Sequence, residues 1–222
     1  MAEMASAGPA GLSREQEESA FYHEAALNAS WTGTRLMIGI ATSGLGAFVF
    51  SFFYLRSLNS HGLWYPSGFK GPSQALGGTI MGLIVVSAIV QTVGLQMIKG
   101  GKKDAWWGAA VLALILGVAG AAIQIYQLTS LPFPPGASGF ASVFVGASPV
   151  FALLVLGTMI WLEILVVRGR QLPAISFVEQ PPTFAEAAEV QRFQASLSAF
   201  TLFWNFLAIA ALVLWVLFYL VH

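Results

Sequence analysis

Five stretches of this chain carry no charged residue for twenty residues or more, and that excludes most folds. Leu36–Leu55 runs 20 residues, Leu76–Ile98 23, Ala105–Leu131 27, Phe140–Leu162 23 and Leu197–Val221 25. At about 1.5 Å of rise per residue, about 20 helical residues cross a hydrocarbon layer of about 30 Å. Each stretch is therefore long enough to span a bilayer as a helix. An open strand in lipid would leave its backbone groups unpaired, and the period-two alternation of a barrel strand is missing. The expected fold class is an all-α integral membrane protein, a bundle of five transmembrane helices.

Composition agrees. Charged residues make up 9% of the chain against 57% hydrophobic, with a mean hydropathy of +0.75. Soluble domains carry about 25% charged residues because a water-facing surface needs them. The net charge is zero, so nothing points to nucleic acid as a partner. Cysteine is absent, which removes disulfides, thiolate metal sites and cysteine nucleophiles.

The segments between the apolar runs set the organisation. Residues 1–30 are acidic and lack a basic start followed by an apolar run, so they read as a cytoplasmic segment rather than a signal or transit peptide. Ser13 with Gln16 could box-cap a short helix over 14–27, outside the membrane. Residues 56–75 are rich in Gly, Pro and Ser, with Trp64 and Tyr65 suited to an interface. A tight basic turn at Lys99–Asp104 precedes Trp106 and Trp107, read as an aromatic belt. Residues 132–138 form a short uncharged turn. The longest loop, 168–193, is broken by Pro173, Pro181 and Pro182; Thr183 with Glu186 could start the last helix well before its apolar part. The chain thus divides into an N-terminal segment, 1–34, and a membrane domain, 35–222.

Orientation follows from the basic residues. Arg14, Arg35, Lys99, Lys102, Lys103, Arg168, Arg170 and Arg192 fall on one side, and only Arg56 and Lys70 on the other. The positive-inside rule then places the N-terminus in the cytoplasm and the C-terminus outside.

Candidate chemistry is sparse. His23 and His61 lie outside the apolar runs and His222 ends the chain, so no helix offers an axial haem ligand. Clusters of His or carboxylates at helical spacing, a Walker loop and a nucleophile–base pair are all missing. No catalytic or metal-binding residue is assigned. Glu163, in TMIWLEILVVRGR, is the one carboxylate close to an apolar core. One reading has it reach the head-group layer and pair with Arg168 or Arg170. The other has it supply protons to a neighbour or bond a partner helix, because a carboxylate at a helix centre costs about 2.5–3.5 kcal/mol. Arg35 and Arg56 bracket the first span and anchor it to head groups by snorkelling, or bind a phospholipid phosphate. Small-residue faces at Gly39/Ser43/Ala47 and Gly117/Gly120/Ala121 permit close helix approach.

Taken in order, the five segments resemble subunit III of the haem-copper oxidases, in its short five-helix bacterial form. RLMIGIATSGLGAFVFSFFYLRS is similar to the family helix that starts with Arg and ends in an aromatic run. TIMGLIVVSAIVQTVGLQ is weakly like its Thr- and Ser-bearing successor, and LGVAGAAIQIYQL resembles the Gly-rich stretch running into Gln and an aromatic. SGFASVFVGASPVFALLVLGTMIWLEIL carries a later Gly157-Thr158, and LFWNFLAIAALVLWVLFYLVH looks like the closing aromatic helix with Trp204, Trp215 and Tyr219. The likeness covers about residues 35–221.

Departures accompany it. Thr42-Ser43-Gly44 stands where the family carries a Glu after a Ser; Val150 and Leu153 stand near two usual His; Asn205 and Ala208 replace a His and an Asp. A proton role resting on those residues does not carry over. The resemblance implies a non-catalytic subunit of a terminal oxidase (cytochrome c oxidase type) in the bacterial inner membrane. It would pack beside the catalytic subunit I and other subunits, and support oxygen reduction and proton uptake in aerobic electron transport. Haem and copper would sit in those partners, with phospholipid bound here. Arg35, Arg56, Trp204 and Asn205 are the expected lipid or subunit contacts. The alternatives are a scaffold subunit of another complex and a small transporter.

Overall fold

Long runs of helix-compatible apolar residues, interrupted only where Gly, Pro and Ser cluster, give a chain of five helices and short connections. The computed structural model describes residues 14–58, 62–172 and 184–221. In order they form α1 (Arg14–Leu58), α2 (Gln74–Lys99), α3 (Lys103–Thr129), α4 (Gly139–Gln171) and α5 (Phe184–Tyr219). The described residues contain no strand, and all five helices are long and apolar enough to cross a membrane.

Helix ends follow local chemistry. Ser73 and Ser138 cap α2 and α4, their hydroxyls accepting from Leu76 N at 3.4 Å and Ala141 N at 3.1 Å. The α2–α3 turn is tight because Gly101 takes a φ of +84°, which lets Lys102 N reach back to Met97 O at 3.0 Å. The proposed capping residues Ser13 and Thr183 lie outside the described residues, as do the prolines of the longest loop.

Three helices exceed their apolar cores. α1 is one continuous helix of 45 residues, about 68 Å of rise, rather than a short helix followed by a span. Nothing between Asn28 and Leu36 breaks it: no proline intervenes, and Gly33 alone costs a helix only about 1 kcal/mol. α4 continues past Leu162 to Gln171, and α5 starts thirteen residues before Leu197.

Packing places α2, α3, α4 and α5 in a closed ring, each touching the next, with α5 returning to α2. α1 lies outside that ring, in the groove between α4 and α5, and does not touch α2. Burial reflects this: 17% of the most apolar stretch of α1 is buried, against 50% for α5. Small residues set the closest approaches. Gly94 faces Ala109, Gly120 faces Ile84, and Gly117 leaves room for Met159. By contrast, Gly39, Ser43 and Ala47 are exposed on α1, so that small-residue face packs on nothing within the chain.

One end of the bundle is closed by aromatics. Trp64 is buried, edge-on to Phe52 of α1 at 4.9 Å and to Phe140 of α4 at 5.9 Å. Phe69 lies 4.9 Å from Phe133. The connection from α1 to α2 therefore crosses the bundle end as part of the core. Trp64 sits inside rather than at an interface, because the loop must bring the chain from the outside helix to the ring.

Trp106 is likewise no belt residue. It is fully buried, with Gly94, Gly169 and Phe193 around its ring. Trp107 is half-buried beneath the Arg170 guanidinium, 5.2 Å from the ring centroid.

Candidate functional site

The interior of the ring is polar along one seam, and every buried polar residue in it is uncharged. Ser87, Gln91, Gln124, Gln127, Ser148, Thr158 and Thr201 are buried, and no Asp, Glu, Lys, Arg or His is buried among the described residues. Because these side chains are buried, any hydrogen bond they make is made within the bundle.

At mid-height the Ser87 hydroxyl donates to Ala113 O at 2.6 Å and accepts from Trp204 Nε1 at 3.1 Å, tying α2, α3 and α5 together. One turn further along α2, the Thr92 hydroxyl donates to Ala88 O at 2.8 Å. It accepts from Asn205 Nδ2 at 3.1 Å. Between these levels Gln91 is fully buried, and neither of its amide atoms has a partner.

Toward the end where α2 begins and α5 finishes, a second group gathers. Gln124 Nε2 donates to Ser148 O at 3.0 Å, joining α3 to α4. Gln127 Nε2 donates to Ser73 O at 3.2 Å, and its carbonyl accepts from the Tyr219 hydroxyl at 3.0 Å. Tyr219 packs flat against Gly77, whose missing side chain makes room for the ring. Next to this group the helices leave a cavity lined by Gln124, Gln127, Ser148, Phe151, Trp215 and Tyr219, with about 40 Å³ open to the centres of water-sized molecules.

The expected contact residues distribute as follows. Trp204 is wholly interior and bonded to Ser87, so it touches neither lipid nor a partner subunit. Asn205 is half-buried and pairs with Thr92. Arg35 is exposed on the outer helix, and Arg56 is half-buried in the last turn of α1. Glu163 is exposed on α4 and makes no ion pair or side-chain hydrogen bond; Arg170 turns instead to Trp107. The structure does not bring these five residues into one site.

The polar residues inside the ring were not among those expected to form a site. Gln91, Gln124 and Gln127 stand in otherwise apolar runs, and the i, i+3 spacing of the last two puts both on one helix face. An amide in such a run must face a partner or the interior, and that was the available signal. Among the described residues no three of His, Cys, Asp and Glu come together as metal ligands. No family model and no curated protein matches the chain.

Proposed function

We propose that this chain is the non-catalytic subunit III of a bacterial haem-copper terminal oxidase. It would lie in the inner membrane with its N-terminus in the cytoplasm and pack beside the catalytic subunit that holds haem and copper. The observation that carries the reading is the neutral interior. Proton pumps and coupled transporters set ionisable side chains into the bundle. Here the ring is tied together by serine, threonine, glutamine and tryptophan, among the described residues. Such a bundle is built to hold a shape.

Two further features support the reading. The five segments follow the order of the family's helices over about residues 35–221. α1 stands outside the ring with Ile40, Phe50 and Phe53 exposed, a broad apolar surface suited to phospholipid or to another subunit. Since the family's carboxylate and histidines are replaced here, the chain's role would be to sustain turnover. Loss of the chain should shorten the working life of the oxidase and leave proton pumping in place.

The test is purification in mild detergent through an N-terminal tag, followed by a reduced-minus-oxidised spectrum. Haem bands with oxygen consumption are expected. A colourless preparation that keeps other subunits would refute the oxidase reading and favour a scaffold of another complex.

A further inference from the structure

Glu163 occupies a position that the chain by itself does not explain. It lies on the exposed side of α4 in a stripe with Leu153, Ile160, Ile164 and Val167, all apolar and all 49% exposed or more. Its depth is fixed by its neighbours. The Lys103 ammonium donates to Leu172 O at 2.5 Å, and Arg170 stacks on Trp107, so the basic boundary of the bundle lies at the level of residues 168–172. Glu163 stands five to nine residues inside that boundary, about 8–14 Å of helix rise.

It also points the wrong way to escape. In an α-helix each Cα–Cβ bond tilts toward the helix N-terminus, and α4 begins at Gly139, at the far end. A short carboxylate near the C-terminal end is thus directed deeper into the apolar layer. A lysine could snorkel back along its stem, but a glutamate is too short. Neither Arg168 nor Arg170 pairs with it, and the other members of its stripe are hydrocarbon.

We propose that the Leu153–Val167 stripe of α4 is the face that docks another subunit. Resting on the oxidase reading, the occupant is a transmembrane helix of the haem-bearing subunit, presenting a cationic or hydrogen-bond-donating side chain level with Glu163. Charge complementarity selects it. Lipid tails offer no donor at that depth, and a second copy of this chain related by a two-fold axis would set one Glu163 against another.

The absence of cysteine makes the test direct. Ile160→Cys and Val167→Cys report on the stripe; Ile115→Cys on α3, which is 59% exposed, serves as the comparison. In native membranes a membrane-soluble maleimide should label Ile115→Cys quickly and the two stripe positions at least tenfold more slowly. The difference should vanish once the complex is dissociated in harsh detergent. A bifunctional reagent at Ile160→Cys should join the chain to the subunit that carries the haem spectrum.

Glu163→Gln keeps an acceptor and should retain the partner. Glu163→Lys should weaken retention about 30-fold or more, the scale of a broken buried charge pair. Stripe positions labelled as fast as Ile115→Cys would overturn the proposal, as would Ile160→Cys joining only to itself or Glu163→Lys leaving retention unchanged. The two readings fail separately. A haem-bearing preparation with an open stripe defeats the docking face alone; a colourless one with a protected stripe defeats the oxidase reading and with it the haem-bearing occupant, and leaves the stripe as a docking face.

Discussion

A single methyl group at residue 169 should destabilise this bundle, whereas the same methyl at residue 157 should not. A Cβ at Gly169 would lie 2.5 Å and 2.6 Å from Cη2 and Cζ3 of Trp106, and 3.0 Å from Cζ of Phe193. Carbon atoms rest at about 3.5–4.0 Å, so the indole must shift by about 1 Å. It has little room to do so. The ring is fully buried, with Phe193 edge-on at 5.6 Å and the backbone of Gly94 beside its Cδ1. Overpacking of this kind costs about 1–3 kcal/mol, or about 5- to 150-fold in the folded-to-unfolded ratio. Gly157 has nothing within 4 Å of the same added atom, so Gly157→Ala keeps only the gain in helix propensity, about 0.5–1 kcal/mol. The two variants should therefore move in opposite directions. Unfolding in mixed micelles of rising dodecyl sulfate content, followed by protease resistance, measures both. Trp106→Phe supplies the internal check: it removes the atoms that collide, so the double variant should lose less than the sum of the single losses. Equal midpoints for Gly169→Ala and Gly157→Ala, or strictly additive losses with Trp106→Phe, would refute the packing argument.

The polar seam makes a second contrast. Ser87→Ala removes two hydrogen bonds and strands the Trp204 indole N–H, and should cost about 1–2 kcal/mol in the same assay. Gln91→Leu removes a buried amide that has no partner, and should leave the midpoint unchanged or raise it. Topology is checked with an impermeant thiol reagent on intact cells and on inverted vesicles. Ser67→Cys should label from outside and Lys102→Cys only from the cytoplasmic face, as the basic bias toward the 99–103 turn requires. Arg170→Ala should cost about 0.5–1 kcal/mol through its lost contact with the Trp107 ring, a loss that Arg170→Lys restores in part.

The five helices were legible because a run of twenty uncharged apolar residues leaves the backbone one way to satisfy itself. Their full lengths were less so. α1, α4 and α5 continue into polar sequence, where apolar periodicity says nothing and the absence of a breaker decides. The aromatic residues were the least legible. Trp64, Trp106 and Trp204 all looked like interface or contact residues, and all three are interior. A tryptophan at the end of an apolar run serves equally well as a belt or as a plug. What distinguishes the two is the glycine that faces it: Gly94 and Gly169 for Trp106. Those glycines are remote in sequence from the ring they accommodate. The pairing of Ser87 with Trp204 spans 117 residues and left no local trace.

Among the described residues, the split between a neutral interior and a carboxylate on an exposed apolar stripe bears on how such a chain works. A bundle that moved protons or ions would place its ionisable groups inside, where the helices could shield them, and leave its outer faces apolar. The arrangement here is reversed. Ser87, Trp204, Gln124 and Gln127 hold the ring by bonds between helices, while Glu163 faces outward from an apolar stripe. In a bilayer, holding the carboxylate there would cost free energy in the isolated chain, and the proposed contact with a donor on another helix would recover it. If the proposed docking face is correct, stability of the ring and affinity for a partner rest on separate residues, Ser87 and Trp204 for the first and Glu163 for the second. Substitutions at Ser87 or Trp204 should therefore lower the folding midpoint without changing which partner is retained, and substitutions at Glu163 should change retention and leave the midpoint in place.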